Sequence, residues 1–144
     1  MRALLDVNVL IALLDPDHAF HDRSHRWWKS NANSGWASCP LTENGVVRIM
    51  SNPAYSKAAQ FSPGDLIQRL EQFANGSDHQ FWPDDVSLRD KGVFVGSRLH
   101  GSRFITDVYL LALAAKRQGR LATFNQGILV SAVCAAKASN LCVV

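Results

Sequence analysis

Cysteine is scarce and unpaired in this 144-residue chain. Cys39, Cys134 and Cys142 form an odd set with no C-x-x-C spacing, which argues against a disulfide framework and a zinc site. Reduced, mostly buried thiols are the plain expectation. Long apolar runs are absent as well: nothing approaches the roughly 18–20 uninterrupted apolar residues of a membrane span. The amino terminus is apolar through Leu14, but Asp6 and Asn8 interrupt it and no small-residue cleavage site follows. A soluble, cytoplasmic protein with no signal peptide and no membrane contact is expected. Charge of one sign is also in short supply. The 15 Lys and Arg exceed the 12 Asp and Glu by three, which is compatible with a polyanionic partner without requiring one. Repeats, linkers and low-complexity segments are missing, so residues 1–144 read as one domain, and an apolar fraction of 47% is ample for a continuous core.

What is present alternates between strand and helix patterns. Ala3–Leu5 is a short apolar run, and Val9–Leu14 resumes on a helical pattern, so Asp6 falls at a strand-to-helix turn. His21 to Asn33 reads as an amphipathic surface helix, Trp36–Cys39 as a second strand, and Leu41–Met50 as a helix with Glu43 in its first turn. Ser62-Pro63-Gly64-Asp65 is a helix start, with a capping hydroxyl, proline at the first helical position and an acid facing the dipole; that helix runs to about Asn75-Gly76. Gln80–Trp82 reads as a third strand, and Gly92–Phe104 as a weak helix plus loop. TDVYLLALAAKRQG is an almost wholly apolar, buried helix with Thr106 as its cap and Gly119 as its stop. Leu121–Phe124 and Leu141–Val144 read as strands bracketing a helix from Gln126 to Ala138, a right-handed parallel crossover. The pattern as a whole predicts an α/β fold with a parallel sheet covered on both faces.

In such a sheet ligands bind outside the carboxyl ends of the strands. Asp6 follows the first strand, Asn125 follows the strand at Leu121–Phe124, and Glu43 and Asp107 each sit in the first turn of a helix. Clustered carboxylates repel one another, and a bound divalent cation is the usual remedy; oxygen ligands favour magnesium or manganese over zinc. Such a cation neutralises charge on a phosphoryl group and suits phosphodiester hydrolysis. Taken singly, each acid has a plainer reading, because a carboxylate in a first helical turn is favoured by the dipole whatever its function. Asp6 says more, since it interrupts a stretch bound for the core, where an unpaired charge is costly.

Four segments, LLDVNVLIALLD, LTENGVVRIMSNP, FWPDDVSLRD and ITDVYLLALAAKRQGRLATFNQGI, resemble the PIN-domain family in order across nearly the whole chain, and within it the VapC-type toxins of bacterial toxin–antitoxin pairs. The resemblance implies a three-layer α/β/α sandwich with a central parallel sheet and magnesium-dependent endoribonuclease activity. It also implies a homodimer and inhibition by a small VapB-like antitoxin. It carries metal-binding roles onto Asp6, Glu43 and Asp107. The departure is Asn125, where relatives commonly place an aspartate in a T-F-D motif; an amide offers a carbonyl oxygen but no negative charge, which weakens a second metal position.

Other residues carry two readings each. Asn8 is either the helix cap, the favoured reading, or a hydrogen-bonding group for the metal's water shell. His21 and His25 share a helix face but lack the glutamate of H-E-x-x-H, so a solvated pair is expected. Arg98, His100 and Arg103 are either RNA phosphate contacts or a solvated loop. Trp27, Trp28, Trp36 and Trp82 are either stacking platforms or an antitoxin surface or, the favoured reading, residues that simply pack. Two rival functions stand beside the ribonuclease: a phosphatase of the haloacid-dehalogenase type, for which Asn8 is the wrong second residue, and an RNA-binding module that kept the fold but lost turnover.

Overall fold

A computed structural model describes residues 1–144. Its centre is a five-stranded, all-parallel sheet of β1 (Ala3–Leu5), β2 (Trp36–Ser38), β3 (His79–Phe81), β4 (Arg120–Thr123) and β5 (Leu141–Val143). The spatial order is β3-β2-β1-β4-β5. The helices are α1 (Val7–Leu14), α2 (His21–Asn31), α3 (Pro40–Met50), α4 (Pro63–Asn75) and α5 (Ile105–Lys116).

Alternation along the strands builds two cores. Ala3, Leu5, Trp36 and Ala122 face a cluster with Val9, Leu10, Val46, Met50, Leu66 and Leu70, the buried residues of α1, α3 and α4. Leu4, Ala37 and Leu121 face the opposite way, onto Val108, Leu111 and Ala112 of α5. The result is the three-layer sandwich. The three central strands are buried on both faces, hence their mostly apolar sequences, whereas the edge strands β3 and β5 are half-buried to exposed. The chain leaves β1 on one side to build β2 and β3, then crosses back to place β4 on the other. The switch point therefore lies at the carboxyl ends of β1 and β4. Close packing of α1 on α3 depends on Gly45, because a Cβ there would sit 2.8 Å from a Val7 methyl carbon.

Several sequence expectations need correction. No α-helix spans Gln126–Ala138; the connection is two short 3-10 turns, Val130–Ala132 and Ala138–Asn140. This segment instead pairs with the chain before α5, through an antiparallel bridge between Phe94 and Val133 and hydrogen bonds Val95 N to Ala132 O and Cys134 N to Val93 O. Tertiary pairing overrides local helical preference. Gly92–Phe104 likewise holds no α-helix; beside the Phe94 bridge it forms the 3-10 turns Gly96–Arg98 and Ser102–Phe104. Thr106 does not cap α5: the 3-10 turn Ser102–Phe104 runs directly into the helix, which begins at Ile105 without a side-chain cap. Nor is Gly119 the residue that turns α5 off, since Gln118 takes the positive φ of 57°. Gly119 is needed for space, because a Cβ would lie 2.7 Å from the Arg2 carbonyl oxygen. Asn8 is not the cap of α1. Asp6 is, with extended φ and ψ of −69° and 167° and its carboxylate accepting from Val9 N–H.

His21 and His25 are half-buried rather than solvated. Their ring nitrogens lie 2.7 Å from Ala12 O and 3.1 Å from Leu13 O, and so meet carbonyls that the end of α1 leaves without helical partners. Of the thiols only Cys39 is buried; Cys142 is partly exposed and Cys134 exposed, and none is bridged. Trp36 and Trp82 pack as expected, each at most 5% exposed. Ser62 caps α4 as its sequence predicts, accepting from Asp65 N–H at 3.1 Å. No helix is long and apolar enough to cross a membrane.

Candidate active site

The switch point holds a polar cleft of about 260 Å³ lined by Asp6, Asn8, Asp107, Thr123, Phe124 and Asn125. Each side chain arrives there for a local reason. Asp6 ends β1 and caps α1, so its Oδ1 is fixed at 2.9 Å from Val9 N. Thr123 is the last residue of β4; its hydroxyl accepts from Asn125 N–H at 3.1 Å and hydrogen-bonds the Asp6 carboxylate. Asp107 stands in the first turn of α5. Asn125 links the elements: its Nδ2 donates to Asp107 Oδ2 at 2.8 Å, and its Oδ1 accepts from Gly127 N–H at 2.8 Å.

Asp6 is 5% exposed, and burial pushes its carboxyl up to about 6; hydrogen bonds from Thr123 and Val9 oppose the rise, and the Asp107 carboxylate adds to it. Two acids whose charges oppose each other across a small polar cavity suit a hard divalent cation, since magnesium is commonly held by one or two carboxylates with water completing its shell. The donor set is oxygen throughout.

Glu43 is placed differently. It lines a separate cavity of about 600 Å³ between α3, α4 and β3, with Asn44, Val47, Ile67, Glu71 and His79 among its neighbours. Burial raises its pKa, and a hydrogen bond from the Ser38 hydroxyl opposes that. Ser38 Oγ also lies 2.7 Å from His79 Nε2. A hydroxyl has one proton; if Ser38 gives it to Glu43, the imidazole is the donor in the second bond. No three His, Cys, Asp or Glu side chains cluster closely enough to hold a metal together. The structure thus brings Asp6, Asp107 and Asn125 together and sets Glu43 one strand over, beside β2.

Arg98 and Arg103 are exposed. Arg98 makes a long 3.4 Å contact to Ser131 O, and the Arg103 guanidinium stands 4.6 Å from the Phe104 ring centroid. The Phe104 ring abuts Gly127, which bonds Asn125, so this basic segment borders the cleft. Arg98, His100 and Phe104 line a further cavity of about 190 Å³. Sequence reasoning missed Thr123 and Ser38. The available signal was a hydroxyl at the last position of an apolar central strand, where a polar group must find a partner.

The family model of the PIN domain matches residues 3–132. Ribonuclease VapC44 of Mycobacterium tuberculosis is 45% identical over 141 residues, covering 98% of each chain. Ribonuclease VapC39 of the same organism is 42% identical over 92% of this chain and 94% of its own. Ribonuclease VapC38, also from M. tuberculosis, is 43% identical over 88% of this chain and 86% of its own. A parallel sheet with its switch point at Asp6 and Thr123, a family match over nearly the whole length, and relatives of this identity lead to one conclusion: the chain belongs to the PIN-domain family.

Proposed function

We propose that this chain is a metal-dependent endoribonuclease of the VapC type, hydrolysing RNA phosphodiester bonds at the Asp6–Asp107 cleft. The observation that carries the reading is the pairing of a buried Asp6, its carboxyl pushed up by burial, with Asp107 in one polar cavity at the switch point. Similarity to ribonucleases of the VapC type supports it.

Asp6 and Asp107 are the residues that would hold magnesium or manganese; Glu43, in the adjacent groove, would add negative charge at the end of β2 without completing a three-residue ligand cluster. When bound, the cation supplies Lewis acidity toward the phosphoryl group and the attacking water. The protein's own groups orient the acids. Thr123 and Val9 N–H fix the Asp6 carboxylate, while Asn125 fixes Asp107 and is itself fixed by Gly127. Arg98 and Arg103 meet the phosphates on the flank, and in-line attack by water leaves a 5′ phosphate and a 3′ hydroxyl. The reading extends to a cytoplasmic setting, to a VapB-like antitoxin that silences the enzyme, and to a homodimer.

The test is RNA cleavage by the purified chain with magnesium or manganese, with and without chelator. Chelator-sensitive cutting is expected. Binding without cutting at saturating metal selects the second reading, an RNA-binding module that has lost turnover. Asn125 is the observation in its favour, because its amide replaces a negative charge beside Asp107.

A further inference from the structure

We propose that Phe20, together with Phe124 and Arg23, forms a stacking subsite for one unpaired RNA base beside the Asp6–Asp107 cleft. The inference rests on the ribonuclease reading and adds a binding site to it. An isolated exposed phenylalanine needs no explanation on a protein surface. Phe20 differs in position. Its ring centroid is 5.0 Å from that of Phe124, at 50°, and Phe124 lines the cleft that holds both acids. Phe124 packs in part against the core, whereas Phe20 belongs to neither core cluster and is 42% exposed.

The platform is held in place before any ligand arrives. Phe20 stands just before α2 in a loop whose backbone is pinned from within: Asp17 N–H donates to Asp15 Oδ1 at 3.0 Å, and Phe20 N–H to His18 Nδ1 at 3.0 Å. The Arg23 guanidinium lies 5.4 Å from both ring centroids and donates to the Val144 carbonyl, which keeps it beside the rings. A partly exposed phenyl ring with a guanidinium over it and the His18 ring 5.9 Å away offers the planar groups that unpaired bases stack on, and such stacking is tolerant of sequence because every base has a π face. The basic segment at Arg98 and Arg103 borders the cleft through Phe104 and Gly127. Scissile phosphate, flanking phosphates and one neighbouring base would then each have separate contacts.

The test uses the full chain in chelator, so that binding is read without cleavage, and short single-stranded RNA oligonucleotides carrying 2-aminopurine at successive positions. Wild type is expected to quench the fluorescence at one position. Phe20→Ala should abolish that quench and weaken binding about 5- to 100-fold, the range for loss of one base–aromatic stack. Phe20→Leu keeps apolar bulk against Phe124 but removes the π face, so it should lose the quench with an unchanged thermal midpoint; Phe20→Tyr should retain it. Quench and affinity unchanged in Phe20→Ala, while wild type binds and cuts RNA, overturn the subsite alone, and a protein partner for Phe20 would give that result. A wild type that neither binds nor cuts RNA overturns the ribonuclease reading and the subsite with it.

Discussion

The Asp6–Asp107 cleft and the Glu43–His79 groove flank neighbouring strands yet differ in almost every property. The groove is the larger, about 600 Å³ against 260 Å³, and Val47, Ile67, Leu70, Ala74 and Phe81 supply much of its wall. The cleft is lined by carboxylates, amides, a hydroxyl and one phenyl ring. Size alone would place the chemistry in the groove. Convergent polar groups and an acid shifted by burial favour the cleft in the proposed reading, because catalysis needs charges whose environment has been tuned. Glu43 shares one property with Asp6, a pKa raised by burial, but its hydrogen-bond partner is Ser38, which in turn bonds His79.

The sharpest way to break the comparison is to remove one acid from the cleft. Asp107→Asn and Asp6→Asn should each lower cleavage by more than about 100-fold, above the usual cost of losing a residue that only supports a metal ligand. Stability should move the other way. The folded-state pKa of Asp6, about 6, exceeds the ordinary aspartate value of 3.8, so between those values the folded protein retains a proton that the unfolded chain has lost. Stability therefore falls as pH rises through this window, by on the order of 2–3 kcal/mol once Asp6 is fully charged. Asparagine remains a good cap. Metal-free Asp6→Asn should thus match wild type near pH 4 and exceed it near pH 7, as read from denaturant midpoints. A wild type that stays the more stable at neutral pH would make Asp6 a structural acid.

The groove is tested by Glu43→Gln and Ser38→Ala. If Glu43 is the third acid, its amide variant should lose about 10- to 100-fold in cleavage, with Ser38→Ala following at the lower end. If both cut as wild type does, the chemistry belongs to the cleft alone and the groove serves another purpose.

Much of this contrast was legible in the residues, and the parts that were not share a cause. Apolar central strands, the apolar α5 and the start of α4 declare themselves because local pattern and tertiary role agree. The segment Gln126–Ala138 does not, because its conformation is set by pairing with Val93 and Val95, about forty residues earlier in the chain. The position of Asp6 is readable from the turn it occupies, but its double duty as cap and cleft acid is not, because Asn8 is an equally good cap by residue type. The separation of Glu43 from the other two acids was hidden for a related reason: sequence shows that an acid lies at a helix start and not which cavity that start opens into. Thr123 escaped notice because a threonine is ordinary in a strand, and only its burial beside a carboxylate gives it a role.

Asn125→Asp sharpens the comparison within the cleft. The wild-type amide donates to Asp107 at 2.8 Å while its oxygen is engaged by Gly127 N–H, so its carbonyl is less available to a cation than the sequence suggests. Aspartate would replace that hydrogen bond with a like charge. Metal-free stability should drop by about 1–3 kcal/mol, the cost of a lost charge-assisted bond, and the magnesium needed for half-maximal cleavage should fall by on the order of tenfold through added Coulombic attraction. Calorimetric metal titration paired with a magnesium series of cleavage rates separates the two. If neither affinity nor requirement changes, Asn125 positions Asp107 without belonging to the metal site.

The smallest effects are expected at the rim, where Arg98→Ala and Arg103→Ala remove charge without touching either acid. Each guanidinium that contacts a phosphate should lower the slope of log affinity against log salt by about 0.7 for single-stranded RNA, a change of only a few-fold at any one salt concentration. The two need not be equal. Arg103 is held beside Phe104, next to the loop that carries Asn125, whereas Arg98 has only a long contact to Ser131 O; the better-fixed side chain loses less freedom on binding and should show the larger effect. Phe20→Ala provides the control, since losing an uncharged ring should weaken binding equally at every salt concentration and leave the slope unchanged. Binding isotherms for the three variants across a salt series distinguish charge from stacking at the same rim. Slopes equal to wild type in both arginine variants would return Arg98 and Arg103 to solvent and leave phosphate contact to other basic residues.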